Sequence, residues 1–171
     1  PIMKLALNRE GTRLALLRRR QQGVLLLKGI DAVLWDVNAG TSLPLDLPEA
    51  WTFAKSTIGT LCYDRTGDSL AVGGSGLALF DGATGDRRSA LDLDGAAVPI
   101  LAFDLVGNQL LAGCSDRQVR LIDLRENKVR FASPEPLNLS VAGIDDLAFY
   151  LLALMETGRH QEAAEVLADL K

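Results

Sequence analysis

The chain repeats itself, and an aspartate closing an apolar run marks each repeat: "LWDV" at 34–37, "LFDG" at 79–82 and "LIDL" at 121–124. Asp36 and Asp81 are 45 residues apart, and Asp81 and Asp123 are 42 apart. A period of this length signals stacked supersecondary units, none of which buries its own apolar face alone. The same order of parts surrounds each aspartate. An alternating apolar run leads to a turn with glycine, then a second apolar run, a turn, a third run ending in Asp, a polar turn and a fourth short run. The turn glycines Gly67 and Gly107 are 40 apart but Gly11 and Gly67 are 56 apart, so the first unit is longer. Its excess falls between Arg18 and Ile30.

The runs read as strands because their side chains alternate with period two. In "QVRLIDL" Val119, Leu121 and Asp123 share one face, and Arg120, Ile122 and Leu124 the other. In "AVLWDV" Val33 and Trp35 share a face. Near-continuous apolar character predicts sheets covered on both sides, as stacking provides. "VGGSGLALF" (Val72 to Phe80) is glycine-rich, but no helix follows it to face a phosphate, so it reads as a turn between two strands.

The third unit, "LLAGCSDRQVRLIDLREN", resembles a WD repeat, the four-stranded blade of a β-propeller. Asp116 matches the family's turn aspartate, and Ile122-Asp123 its Trp-Asp pair, where the other units have Phe80-Asp81 and Trp35-Asp36. "AFDLVGNQLLAG" is similar to the family's Phe-Ser-Pro-Asp-Gly turn and the strand after it. The family's Gly-His is absent: Gly95-Ala96 stands there, so Asp116 needs other donors, such as the N–H groups of its own turn. The resemblance covers about residues 2–133. It implies a mainly β fold, a partial β-propeller of about three four-stranded antiparallel blades spanning 1–135.

The texture then changes. Residues 136–143 read as a linker or short strand ("LNLSV"), and 144–171 as a C-terminal α-helical hairpin. Leu147, Tyr150, Leu151 and Leu154 fall at helical spacing, as do Ala163, Val166, Leu167 and Leu170. "ETGRHQEAAEVL" is similar to a tetratricopeptide-repeat unit, and one such unit needs a covering surface.

Three blades do not close a propeller, which takes about four to eight. An open array is expected to expose two apolar blade faces. Three resolutions stand: other blades supplied by another chain or by a longer one, symmetric association of copies, or a fourth sheet from "LNLSV" with the helices as a cap. The start at Pro1, inside an apolar run, favours the first two.

The composition narrows the chemistry. A net charge of −4 over 171 residues lacks the basic footprint of a nucleic-acid binder. The apolar runs stop short of the ~18 residues of a membrane span. With one histidine, His160, and two cysteines, Cys62 and Cys114, read as free buried thiols, no metal cluster, cofactor or catalytic constellation is expected. Asp92 and Asp94 fall at strand spacing, as on a plain surface strand. Arg18-Arg19-Arg20 reads as the end of a strand and a solvated loop tip, with protein contact through planar guanidinium groups as the functional reading. Leu151 and Leu167 are candidate contacts of the tail, and Asp116 is a structural turn residue. The expectation is a non-enzymatic, cytoplasmic protein–protein interaction scaffold whose partner is a copy of itself or another subunit, with no nucleic acid and no membrane. The alternative is a regulatory or sensory segment of a larger multidomain enzyme.

Overall fold

The computed structural model describes residues 2–22, 27–52, 59–104 and 106–133, with the single positions Leu151, Gln161, Glu165 and Val166. The described residues form three four-stranded antiparallel sheets. The first comprises β1 (Ile2–Leu7), β2 (Arg13–Gln22), β3 (Leu27–Asp36) and β4 (Thr41–Pro44). The second comprises β5 (Thr60–Tyr63), β6 (Ser69–Gly74), β7 (Gly76–Asp81) and β8 (Arg87–Leu91). The third comprises β9 (Ile100–Phe103), β10 (Gln109–Gly113), β11 (Val119–Asp123) and β12 (Lys128–Ala132). In each sheet the strands lie in chain order, every strand bonded to its neighbours in sequence. A short helix, α1 (Glu49–Thr52), lies between the first and second sheets.

The turns repeat as closely as the strands. At the end of each first strand an Asn or Asp closes the first turn with its side chain. Asn8 Oδ1 accepts the N–H groups of Thr12 and Arg13, Asp64 Oδ1 that of Gly67, and Asp104 Oδ1 those of Asn108 and Gln109. At the end of each third strand the marker aspartate closes another turn: Asp36 on Asn38 and Ala39, Asp81 on Ala83 and Thr84, Asp123 on Arg125 and Glu126. These are Asx turns, in which a short carboxylate or amide stands in for backbone. The last residue of that turn takes a positive φ each time, at Gly40 (67°), Gly85 (77°) and Asn127 (48°), a conformation that Gly and Asn tolerate. A backbone bond then ties the two turns together: Val37 N to Thr12 O, Gly82 N to Asp68 O, and Leu124 N to Asn108 O.

The sheets pack in series. β1 lies against β5, and β5 against β9. Ala15, Leu17, Ala32 and Leu34 of the first sheet meet Leu61, Leu70, Val72, Ala78 and Phe80 of the second, with Leu45 and Leu47 from the connection after β4 and Trp51 from α1 completing that core. The other face of the second sheet, through Ala71, Leu77 and Leu79, meets Leu101, Phe103, Leu110, Ala112 and Ile122 of the third. Burial on both faces is why "SLAVGG" and "GLALF" carry so little polar alternation. Each fully buried Leu, Val or Phe here contributes about 1.5–3 kcal/mol.

The structure corrects several expectations. Arg18-Arg19-Arg20 is not a loop tip at the end of a strand. β2 and β3 stay in register from Arg13↔Asp36 to Gln22↔Leu27, so the insertion lengthens a hairpin, and Arg18, Arg19 and Arg20 lie within β2. Asp92 and Asp94 are not on a strand: β8 stops at Leu91, Asp92 Oδ1 accepts the Gly95 N–H, and Asp94 has a φ of 57°. The helical hairpin over 144–171 is not supported. Of its residues only Leu151, Gln161, Glu165 and Val166 are described, each with helical backbone, and such scattered positions define no pair of packed helices. Leu167, His160 and "LNLSV" lie outside the described residues. The three sheets do not close into a ring.

Candidate functional site: the open face of the first sheet

The repeat lets equivalent positions be compared between sheets. Leu5, Leu61 and Leu101 correspond, as do Leu7, Tyr63 and Phe103, and Trp35, Phe80 and Ile122. In the second and third sheets these side chains face the preceding sheet and fill the inter-sheet core. In the first sheet they face outward. Leu5 is 60% exposed, against 6% for Leu61 and 9% for Leu101, and Leu7 is 56% exposed against 8% for Phe103. Trp35 is 39% exposed, whereas Phe80 and Ile122 are fully buried. Leu14 and Leu16 lie half-buried between them, and Val37 is exposed beside Trp35. Together these residues form an apolar face, paired across strands as Leu5↔Leu16, Leu7↔Leu14 and Leu14↔Trp35, with Val33 buried on the same face opposite Leu16.

The opposite end of the series differs. On the outward face of the third sheet, Leu111 and Val119 are 2% and 1% exposed. Two open faces were expected from an unclosed array. Among the described residues the first sheet presents the open one, and the centre of the third sheet's outer face is closed.

The residues singled out in the sequence are not brought together. Arg18 pairs across the first hairpin with Asp31, its Nε and a terminal nitrogen reaching Oδ2 at 2.9 and 2.8 Å. Arg19 and Arg20 pair in backbone register with Ile30 and Gly29. Leu151 is buried. Asp116 closes its own turn by accepting the Gln118 N–H at 3.0 Å, and it holds the guanidinium of Arg120 at 3.1 and 2.5 Å. Arg120 is a buried cation on the face toward the second sheet, at the position of Val33 and Ala78. Desolvation pushes the Asp116 carboxyl up, but the bond from Arg120 and the turn N–H outweigh it and hold the group below its usual value.

The turn aspartates are shifted by the same kind of contact. The Thr84 N–H, with Arg88, lowers Asp81 to about 2. The Ala39 N–H does this for Asp36, and the Glu126 N–H for Asp123. Both thiols are free, and burial pushes Cys62 up to about 12 and raises Cys114, so neither is an activated nucleophile.

A polar depression of about 450 Å³ lies where the turns of the first two sheets meet. Its polar groups already serve the turns: Asn8 bonds Thr12 and Arg13, and Asp36 pairs with Arg13 at 2.6 Å. Among the described residues no three His, Cys, Asp or Glu side chains are placed to hold a metal ion. No helix among them is long and apolar enough to cross a membrane.

Sequence reasoning placed Leu5 and Leu7 in an apolar run and Trp35 in a repeat-marking Trp-Asp pair, and singled out none of them as a contact residue. The signal that marks them is their alignment with Tyr63, Phe103 and Phe80, large side chains at positions that need a preceding sheet.

No protein-family model matches this chain, and no curated protein matches it. The expected membership in the WD-repeat and tetratricopeptide-repeat families is thereby overturned. The motif likeness has a physical origin that needs no common family. Side-chain-closed turns after the first and third strands, with period-two apolar runs, suit a four-stranded meander of any family, and Asp116 is held by Arg120 rather than by a histidine.

Proposed function

We propose that this chain is a non-enzymatic protein–protein interaction module, a scaffold element of a multiprotein or oligomeric assembly in the cytoplasm. In this reading residues 1–135 are the consecutive blades of an incomplete β-propeller. The observation that carries it is the apolar face of Leu5, Leu7, Leu14 and Trp35. A large apolar surface left to water on an otherwise packed protein is the mark of a contact site. Its flanks suit one: Arg18–Asp31 provides a charged rim beside an apolar centre.

Sedimentation of the tagged chain in extract of its own cells tests the proposal. The chain is expected to sediment well above its own 18.4 kDa. The double substitution Leu5→Lys/Leu7→Lys, with circular dichroism unchanged, is expected to return it to that mass. A wild-type chain that sediments alone would overturn the reading.

A further inference from the structure

The two internal interfaces show what each sheet demands of the one before it. At the first turn, a Cβ built on Gly67 would stand 3.4 Å from Cβ of Asn8, and one on Gly107 would stand 3.4 Å from Oδ2 of Asp64. Each glycine of the later sheet thus seats on the turn-closing Asn or Asp of the earlier one. At the second turn, a Cβ on Gly85 would come within 2.8 Å of Leu43 and 3.0 Å of Leu45. Its counterpart Asn127 donates from Nδ2 to Ala90 O at 3.5 Å. Arg13 Nε also reaches across, to Ala83 O at 3.1 Å.

The first sheet has the same two turn residues. Gly11 corresponds to Gly67 and Gly107, and Gly40 to Gly85. Their φ values, 72° and 67°, match the others, yet nothing stands within 4 Å of a Cβ at either. The seats are formed and empty, and they flank the open apolar face.

From this match we infer that the face receives a fourth four-stranded antiparallel sheet, presented by a partner polypeptide of different sequence. That sheet presents an apolar trailing face like that of Ala15, Leu17, Ala32 and Leu34. It has an Asn or Asp at the end of its first strand to meet Gly11, and aliphatic side chains on its last strand to meet Gly40. A second copy of this chain does not supply it. The trailing face of the copy's first sheet is already covered by its second sheet, the second is covered on both sides, and the centre of the third sheet's outer face is closed at Leu111 and Val119.

The inference rests on the interaction reading above, and one experiment separates the two. Leu7 is replaced by p-benzoylphenylalanine in the full chain, at a position where Tyr63 and Phe103 show that an aromatic ring fits, and crosslinked in the chain's own cells. The expected adduct is with a partner peptide at the first strand end of a four-stranded antiparallel sheet. Adding Gly11→Asp is expected to cut adduct yield at least tenfold with circular dichroism unchanged. Asp tolerates the positive φ, and its carboxylate occupies the seat. An adduct with a helix, with nucleic acid or with a second copy would overturn the inference and leave an interaction module standing, as would an adduct indifferent to Gly11→Asp. The absence of any adduct would overturn both.

Discussion

At the scale of single residues, location in the series decides cost. Trp35 and Phe80 occupy one repeat position, but Phe80 is sealed between two sheets and Trp35 looks outward. Phe80→Ala is expected to lose about 3–5 kcal/mol, because the cavity cannot collapse between packed sheets. Trp35→Ala is expected to lose about 1 kcal/mol, since 39% of its surface is already in water. Urea denaturation of the two variants reads the difference. Arg120 poses a different problem. It is a buried cation at a position that is apolar in the other sheets, tolerated only because Asp116 reaches it. Asp116→Ala is expected to cost about 2–4 kcal/mol by leaving that charge unpaired in a poorly solvated site. Arg120→Met is expected to stay within about 1.5 kcal/mol of wild type, as Val33 and Ala78 show an apolar side chain fits there. Equal losses in the two variants, by thermal or urea unfolding, would show that the ion pair itself supplies the stability.

At the scale of elements, the turns carry the acid sensitivity of the fold. Asp36, Asp81 and Asp123 each accept N–H groups that stabilise the ionised carboxylate, so their folded pKa values lie below the unfolded 3.8, Asp81 at about 2. A depressed carboxyl contributes stability that is fully present above the unfolded value and is lost as pH falls through the folded one. Urea midpoints are therefore expected to hold steady above pH 4 and to drop between pH 4 and 2. Asp81→Asn is expected to lower the plateau and flatten that drop. These aspartates were also what made the elements legible in the sequence. They fix the ends of β3, β7 and β11 to the residue, and alternation gave the faces of β11 correctly. The lengthened β2–β3 hairpin was less legible, because "RRRQQ" has neither the apolar alternation nor the glycine that marks a strand or its end. α1 was missed because four residues show no helical period. The tail illustrates the reverse failure. Period-3.6 spacing over 144–171 is a local pattern, and a local pattern does not specify what the segment packs against. The open face was hidden for a related reason: exposure belongs to the neighbour, and the sequence of β1 reads like that of a covered strand.

At the scale of the molecule, the second sheet is the middle term of the series. Its strands β6 and β7 are buried on both sides, so their amides open only when a neighbour leaves. Hydrogen exchange is expected to be slowest at Leu70–Val72 and Leu77–Phe80 and fastest at the outward edges β4 and β12; fastest exchange in β6 would contradict the packing order. The series also has a direction, since each sheet seats its glycines on the one before and is seated upon by the one after. A directional surface that could meet its own complement would grow without end, copy upon copy, into a fibre. Leu111 and Val119, sealed on the last sheet, deny a newcomer the matching end. Burial of those two side chains is the feature of the third sheet that opposes such growth.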